Sequence, residues 1–213
     1  SGPTCRQMVQ CGSHLTVRMF CMIIMVNSFM HQSSAFGGEL LAANSILFQI
    51  QFIMGDILTG LSQAGAIYSG IAFGEHDRSM LNDTLRISFI WAIGFGLLQT
   101  VGYYCCRHAI LGCFTNLHNV IATAQQYDLF IAFFPLISAL GIVYYGVFNG
   151  ALYTKPICIS MLLTAGCYLT AYFTLIPLYG NIGLWLAFLI FYIARSSFLL
   201  FFVPKLQQRV ALA

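Results

Sequence analysis

Residues 41–73 read LAANSILFQIQFIMGDILTGLSQAGAIYSGIAF, an apolar run with one acid, Asp56, and no base. It is closed by Gly74 and a charged turn, Glu75-His76-Asp77-Arg78. A membrane-spanning helix needs about 20 mostly apolar residues. At about 1.5 Å per residue this run reaches roughly 50 Å, so as a helix it crosses a bilayer tilted, kinked or protruding. Five further segments outward from it meet the same criterion: 17–36, 85–104, 124–152, 156–176 and 183–203. Gly37-Gly38, Lys155-Pro156, Pro177 with Gly180-Asn181, and Pro204-Lys205 punctuate them, and Pro135 predicts a kink in the fourth. Residues 105–123 form the longest expected loop, with room for a short interfacial helix.

Composition points the same way. Hydrophobic residues make up 59% of the 213 and charged residues 7%, against roughly 25% charged in soluble domains. So few charges cannot cover a water-facing surface, so lipid is the solvent for most of it. The expected fold class is all-α, a polytopic membrane helix bundle of about six transmembrane helices over 17–205. Residues 1–16, mixed polar and without a basic start and short apolar core, read as an N-terminal cytoplasmic loop or cut end, not a signal peptide. Residues 206–213 read as a solvated cytoplasmic tail. The eight cysteines contain no CxxC pair and read as small apolar filler.

The positive charges orient the bundle. If the first helix runs outward, Arg6, Arg18, Arg78, Arg86, Lys155, Lys205 and Arg209 fall inside and only Arg107 outside, with Arg195 within the last span. Basic residues accumulate on cytoplasmic loops, so both termini are expected there. No basic cluster with interleaved aromatics suggests nucleic acid as a partner.

Polar groups at bilayer depth are costly and carry the functional hypotheses. Ser45, Gln49, Asp56, Thr59 and Gln63 recur at helical spacing and form one polar stripe. Such a stripe faces protein or water, because lipid cannot satisfy its hydrogen bonds. It reads either as the wall of a hydrated cavity, with Asp56 binding a cation or exchanging a proton, or as interhelical hydrogen-bonding glue. Asn27 joins it from the first helix, and Tyr145 and Asn149 from the fourth, where Gly146 and Gly150 form a GxxxG contact. Asp128, near the outer start of that helix, is expected to be solvated, and Arg195 to reach the inner interface by snorkelling.

No catalytic constellation appears: there is no HExxH, no GxSxG, and no P-loop for nucleotide-driven transport. The five histidines are scattered, so no metal site is expected. The chain reads as a non-enzyme without a cofactor, and any transport would be passive or ion-coupled.

Several stretches together resemble a known family. Leu41-Ala42-Ala43-Asn44-Ser45-Ile46-Leu47, followed by Gly60-Leu61-Ser62-Gln63-Ala64, resembles the multidrug and toxic compound extrusion (MATE) transporters. Gly70 to Arg78 resembles their GxxxGxxD/R turn. Gly146-Val147-Phe148-Asn149-Gly150-Ala151 and Gly180-Asn181-Ile182-Gly183-Leu184-Trp185-Leu186-Ala187-Phe188, with Arg195 beyond, are similar to the DinF-like branch. Order and spacing hold over residues 17–205.

The resemblance implies the C-terminal lobe of a two-lobed transporter in a bacterial inner membrane. It would export cationic or amphipathic small molecules by proton or sodium antiport with alternating access. The implied partners are the lipid bilayer and a missing N-terminal lobe or a second copy. Gln49, Asp56, Thr59, Gln63, Asn27, Tyr145 and Asn149 would line the cavity. Acids of the branch fall here on Tyr145, Thr59 and Ala66, while Asp56 lies one turn before Thr59. Two alternatives stay open: a lipid-linked saccharide flippase, whose cavity would need several arginines, and a truncated or assembly subunit without transport.

Overall fold

Thr4 opens the first helix with a reciprocal cap. Its hydroxyl accepts from the Gln7 backbone N–H at 3.3 Å, and the Gln7 side chain accepts from the Thr4 N–H at 3.0 Å. The computed structural model describes residues 4–212. Its elements are α1 (Cys5–Ala35), α2 (Gly38–Gly74), α3 (Arg78–Phe114), α4 (His118–Gln125), α5 (Asp128–Gly150), α6 (Lys155–Tyr179), α7 (Asn181–Leu200) and α8 (Val203–Leu212). Six helical stretches are long and apolar enough to cross a membrane. The fold is an all-α membrane bundle with no strand among the described residues.

The helices outrun the apolar runs that predicted them. Residues 5–16 are helical instead of a loop, α3 begins at Arg78 and continues past Tyr104 to Phe114, and α4 stands apart from α5. Hydropathy marks where the chain meets lipid, while hydrogen bonding continues until a cap or a proline stops it. α2 and α3 have 37 residues each, about 55 Å and far more than a bilayer core of about 30 Å. Inside α3, Cys106 has non-helical dihedrals (φ −112°, ψ 16°), which kinks its last turns. The expected tail is also structured: α8 buries Leu206 and Val210, and Gln207 donates to Asn82 of α3 at 2.9 Å. Residues 1–3 and 213 lie outside the described residues.

α5 is the central rod, packed by α2, α3 and α7, while α1 leans chiefly on α6. The α2–α5 contact depends on small residues. A Cβ on Gly146 would collide with the Ser62 carbonyl and one on Gly150 with that of Ala66, so here the GxxxG spacing brings two backbones together. A cluster of aromatic rings fills one core: Phe29, Phe48, Phe134, Trp185 and Phe188 are all fully or almost fully buried. Their centroids lie 4.7 to 5.9 Å apart in tilted and edge-on pairs.

A buried amide cluster locks the end where α1 turns into α2. Asn44 donates to Ser33 at 2.9 Å and to Asn181 at 2.7 Å, and accepts from Asn181 at 3.1 Å and from the Trp185 indole at 3.0 Å. The region where α3, α4 and α5 follow one another carries an ion pair with a buried acid. The Arg107 fork reaches both carboxylate oxygens of Asp128, at 2.6 and 2.8 Å, and Tyr103 adds a donor at 3.2 Å. Asp128 is fully buried, so the expectation of a solvated side chain is corrected. The helical continuation of α3 brings Arg107 to it, one turn after Tyr103.

The opposite end gathers the start of α1, the α5–α6 turn and α8. The Leu152 carbonyl accepts from the Cys11 thiol and from Arg209, and His14 meets Thr154 at 2.9 Å. The Arg209 guanidinium also lies 5.2 Å from the ring centroids of Phe73 and Tyr153.

Candidate functional site

The polar stripe of α2 lies on the side of the lobe that its own helices leave bare. Gln49, Asp56, Thr59 and Gln63 are exposed, as is Asn27 on α1. Behind them is a cavity of about 150 Å³ between α1, α2, α5 and α7. Asp56 and Thr59 of α2 and Tyr145 of α5 line it. Asn27 lines a neighbouring cavity of about 280 Å³ that shares Arg18, Met22 and Phe52 with the first.

The remaining three expected residues do not join this cavity. Gln49 and Gln63 share the Asp56 face, but each is seven residues away, about 10 Å along the axis and beyond a pocket this small. Asn149 lies one turn past Tyr145, where Gly150 already touches α2. Thr59 spends its hydroxyl on the Gly55 carbonyl at 2.9 Å.

Arg18, Gln51, Ser62, Tyr192 and Arg195, which carry no site assignment from the sequence, supply the other polar side chains of the wall. The apolar run starts at Val17, so hydropathy alone puts Arg18 at the very start of the first span. With α1 beginning at Cys5, it lies about three and a half turns inside the helix. Arg195 does not snorkel: it is 6% exposed and turned into the cavity. Both guanidinium groups lie on one ring, Arg18 at 4.2 Å and Arg195 at 5.9 Å from the Tyr145 centroid. The ring offers each a cation–π contact of about 0.5–2 kcal/mol. The ion pairs among the described residues are Arg86–Asp83 and Arg107–Asp128, so neither cavity arginine is paired with an acid. The Arg18 Nε and the Gln51 Nε2 are buried without a hydrogen-bond partner. Gln51 was hidden by its position: two residues from Gln49, it points to the opposite, buried side of α2.

A bundle of six helices long and apolar enough to cross a membrane, with charged groups around a cavity on its bare side, defines the class of polytopic membrane proteins. The MatE family profile matches residues 15–174, so this chain belongs to the MatE (MATE) family. It is 28% identical over 160 residues to the DNA damage-inducible protein F of Escherichia coli (strain K12), covering 75% of this chain and 35% of that protein. The fold resembles an outward-facing multidrug resistance MATE family transporter of the MOP superfamily, with a TM-score of 0.80 at 18% identity. A MATE in the bent conformation gives 0.79, also at 18% identity. Each comparison covers 93% of this chain and 45% of the solved one. The chain therefore spans about a third of the curated relative and under half of the solved transporters.

Proposed function

We propose that this chain forms one half of an ion-coupled exporter of amphipathic small molecules, working by alternating access in a bacterial inner membrane with both termini cytoplasmic. The observation that carries the reading is the bare polar face of α2: Asp56 and its neighbours point away from the lobe's own core, beside the cavity. Lipid cannot satisfy that face, so a complementary lobe or a second copy is expected opposite it, with water between. Asp56 is the sole carboxylate on the cavity wall, and the coupling proton or sodium ion is assigned to it.

The test is transport by the complete protein in sealed vesicles, loaded with a cationic or an anionic amphipathic dye and given an opposing proton or sodium gradient. One gradient is expected to drive dye efflux, and Asp56→Asn to slow it about tenfold or more. Absence of gradient-driven efflux for both dyes would sink the exporter reading. Efflux unchanged in Asp56→Asn would remove only that residue from the coupling step. A flippase for lipid-linked saccharides is the second reading. What favours it is that Arg18 joins Arg195 in the cavity, so that two arginines are available to such a headgroup.

A further inference from the structure

We infer that the cavity between α1, α2, α5 and α7 is a headgroup site for an anionic amphiphile, one bearing a phosphate or a carboxylate. The inference rests on reading this cavity as the substrate surface and adds the substrate's charge. Arg18 and Arg195 bring two positive charges and Asp56 one negative, leaving a formal surplus of one positive charge. Guanidinium groups seldom sit at bilayer depth without a counter-charge, because burying an unpaired ion is costly. Here no acid among the described residues is within ion-pair distance of either, and the shared Tyr145 ring supports both. A guanidinium lying on an aromatic ring spends its face there. Its N–H edge stays available for an oxyanion, which it grips in a two-pronged fashion.

Two further features describe the ligand. The unpartnered amide nitrogen of Gln51, on a side chain 1% exposed, lies on the same wall and supplies a third donor. The volume of about 150 Å³ suits a phosphate or carboxylate group, whereas whole drug-sized ligands need about 300–1,000 Å³. The adjoining cavity shares Arg18 with it and carries Asn27, but is otherwise walled by Met19, Met22, Ile23, Val26 and Phe52 and is mainly apolar. An amphiphile would place its headgroup on the arginines and run its tail along α1.

Matched-tail probes test this on the complete transporter, purified from its own membrane in a non-ionic detergent. Dodecyl phosphate, dodecanoate and dodecyltrimethylammonium share one tail and differ in headgroup. Binding is followed by the shift in thermal unfolding, so the result does not depend on transport. Either anionic probe, or both, is expected to bind at least tenfold more tightly than the ammonium probe, and the better of the two identifies the headgroup. Arg195→Gln and Arg18→Gln are each expected to weaken that binding about tenfold or more and to leave the ammonium probe unaffected. Arg195→Lys should retain part of the affinity. If Arg195→Gln does not fold, the half-buried Arg18 carries the test. Equal binding of all three probes would overturn the inference, as would anion affinity unchanged in the folded variants. So would a wild-type protein that ignores the anions while Arg195→Gln loses stability without ligand. That pattern would mean that an acid of the complementary half already fills the site.

Discussion

Asp128 and Arg107 show how much a single buried pair can matter in this fold. The carboxylate is fully buried and takes two donors from one guanidinium and a third from Tyr103. Removing one partner of such a pair strands the other and costs about 3–5 kcal/mol. Arg107→Met should therefore lower unfolding stability in detergent by about that amount, whereas the double variant Arg107→Met with Asp128→Leu should recover most of it. Equal losses in the single and double variants would mean that the charge is not what matters. Asn44 gives a second case, with four side-chain hydrogen bonds to Ser33, Asn181 and Trp185. Interhelical hydrogen bonds in membranes are worth about 0.6 kcal/mol each. Asn44→Ala is thus expected to cost about 2 kcal/mol by the same measurement.

Among the elements, α2 and α5 decide whether the lobe holds together. The carbonyls of Ser62 and Ala66 leave no room for a methyl on Gly146 or Gly150, whereas Gly112 and Gly166 have nothing within 4 Å. Overpacking costs about 1–3 kcal/mol. Gly146→Ala and Gly150→Ala should each lose stability in that range or fail to fold. Gly112→Ala, on an open helical face, should gain about 0.5–1 kcal/mol. The same helices show what the sequence made legible. The long α2, the six spans and the GxxxG contact follow from apolar length and glycine spacing. The helical ends do not, because the polar turns beyond the lipid have no hydropathy signal. Asp56, Thr59 and Tyr145 could be grouped because they recur on helical faces. Arg195, Gln51 and Ser62 could not, because which buried polar groups meet depends on how helices far apart in sequence cross. The buried Asp128 was missed for the same reason, since its partner arrives from a stretch that reads as loop.

At the scale of the whole molecule, the lobe has two chemically different ends. Arg6, Arg78, Arg86, Lys155 and Lys205 are exposed near the helix ends that gather around the start of α1, the α5–α6 turn and α8. Positive charge of that kind is retained on the cytoplasmic side of a membrane. The opposite end carries α4 and the paired Arg107, so it should face outward. The native cysteines can report this: Cys5 opens α1 at the positive end, Cys113 closes α3 at the other, and both are exposed. Two single-cysteine versions of the complete transporter, one keeping Cys113 and one keeping Cys5, are treated in intact cells with a membrane-impermeant maleimide. The version keeping Cys113 should label at once, and the one keeping Cys5 only after the membrane is permeabilised. The reverse pattern would turn the lobe over and place Asp56, Arg18 and Arg195 in a cavity approached from the other side. Labelling of both in intact cells would rule out the three crossings, α1, α2 and α3, that separate them and with it the six-span topology.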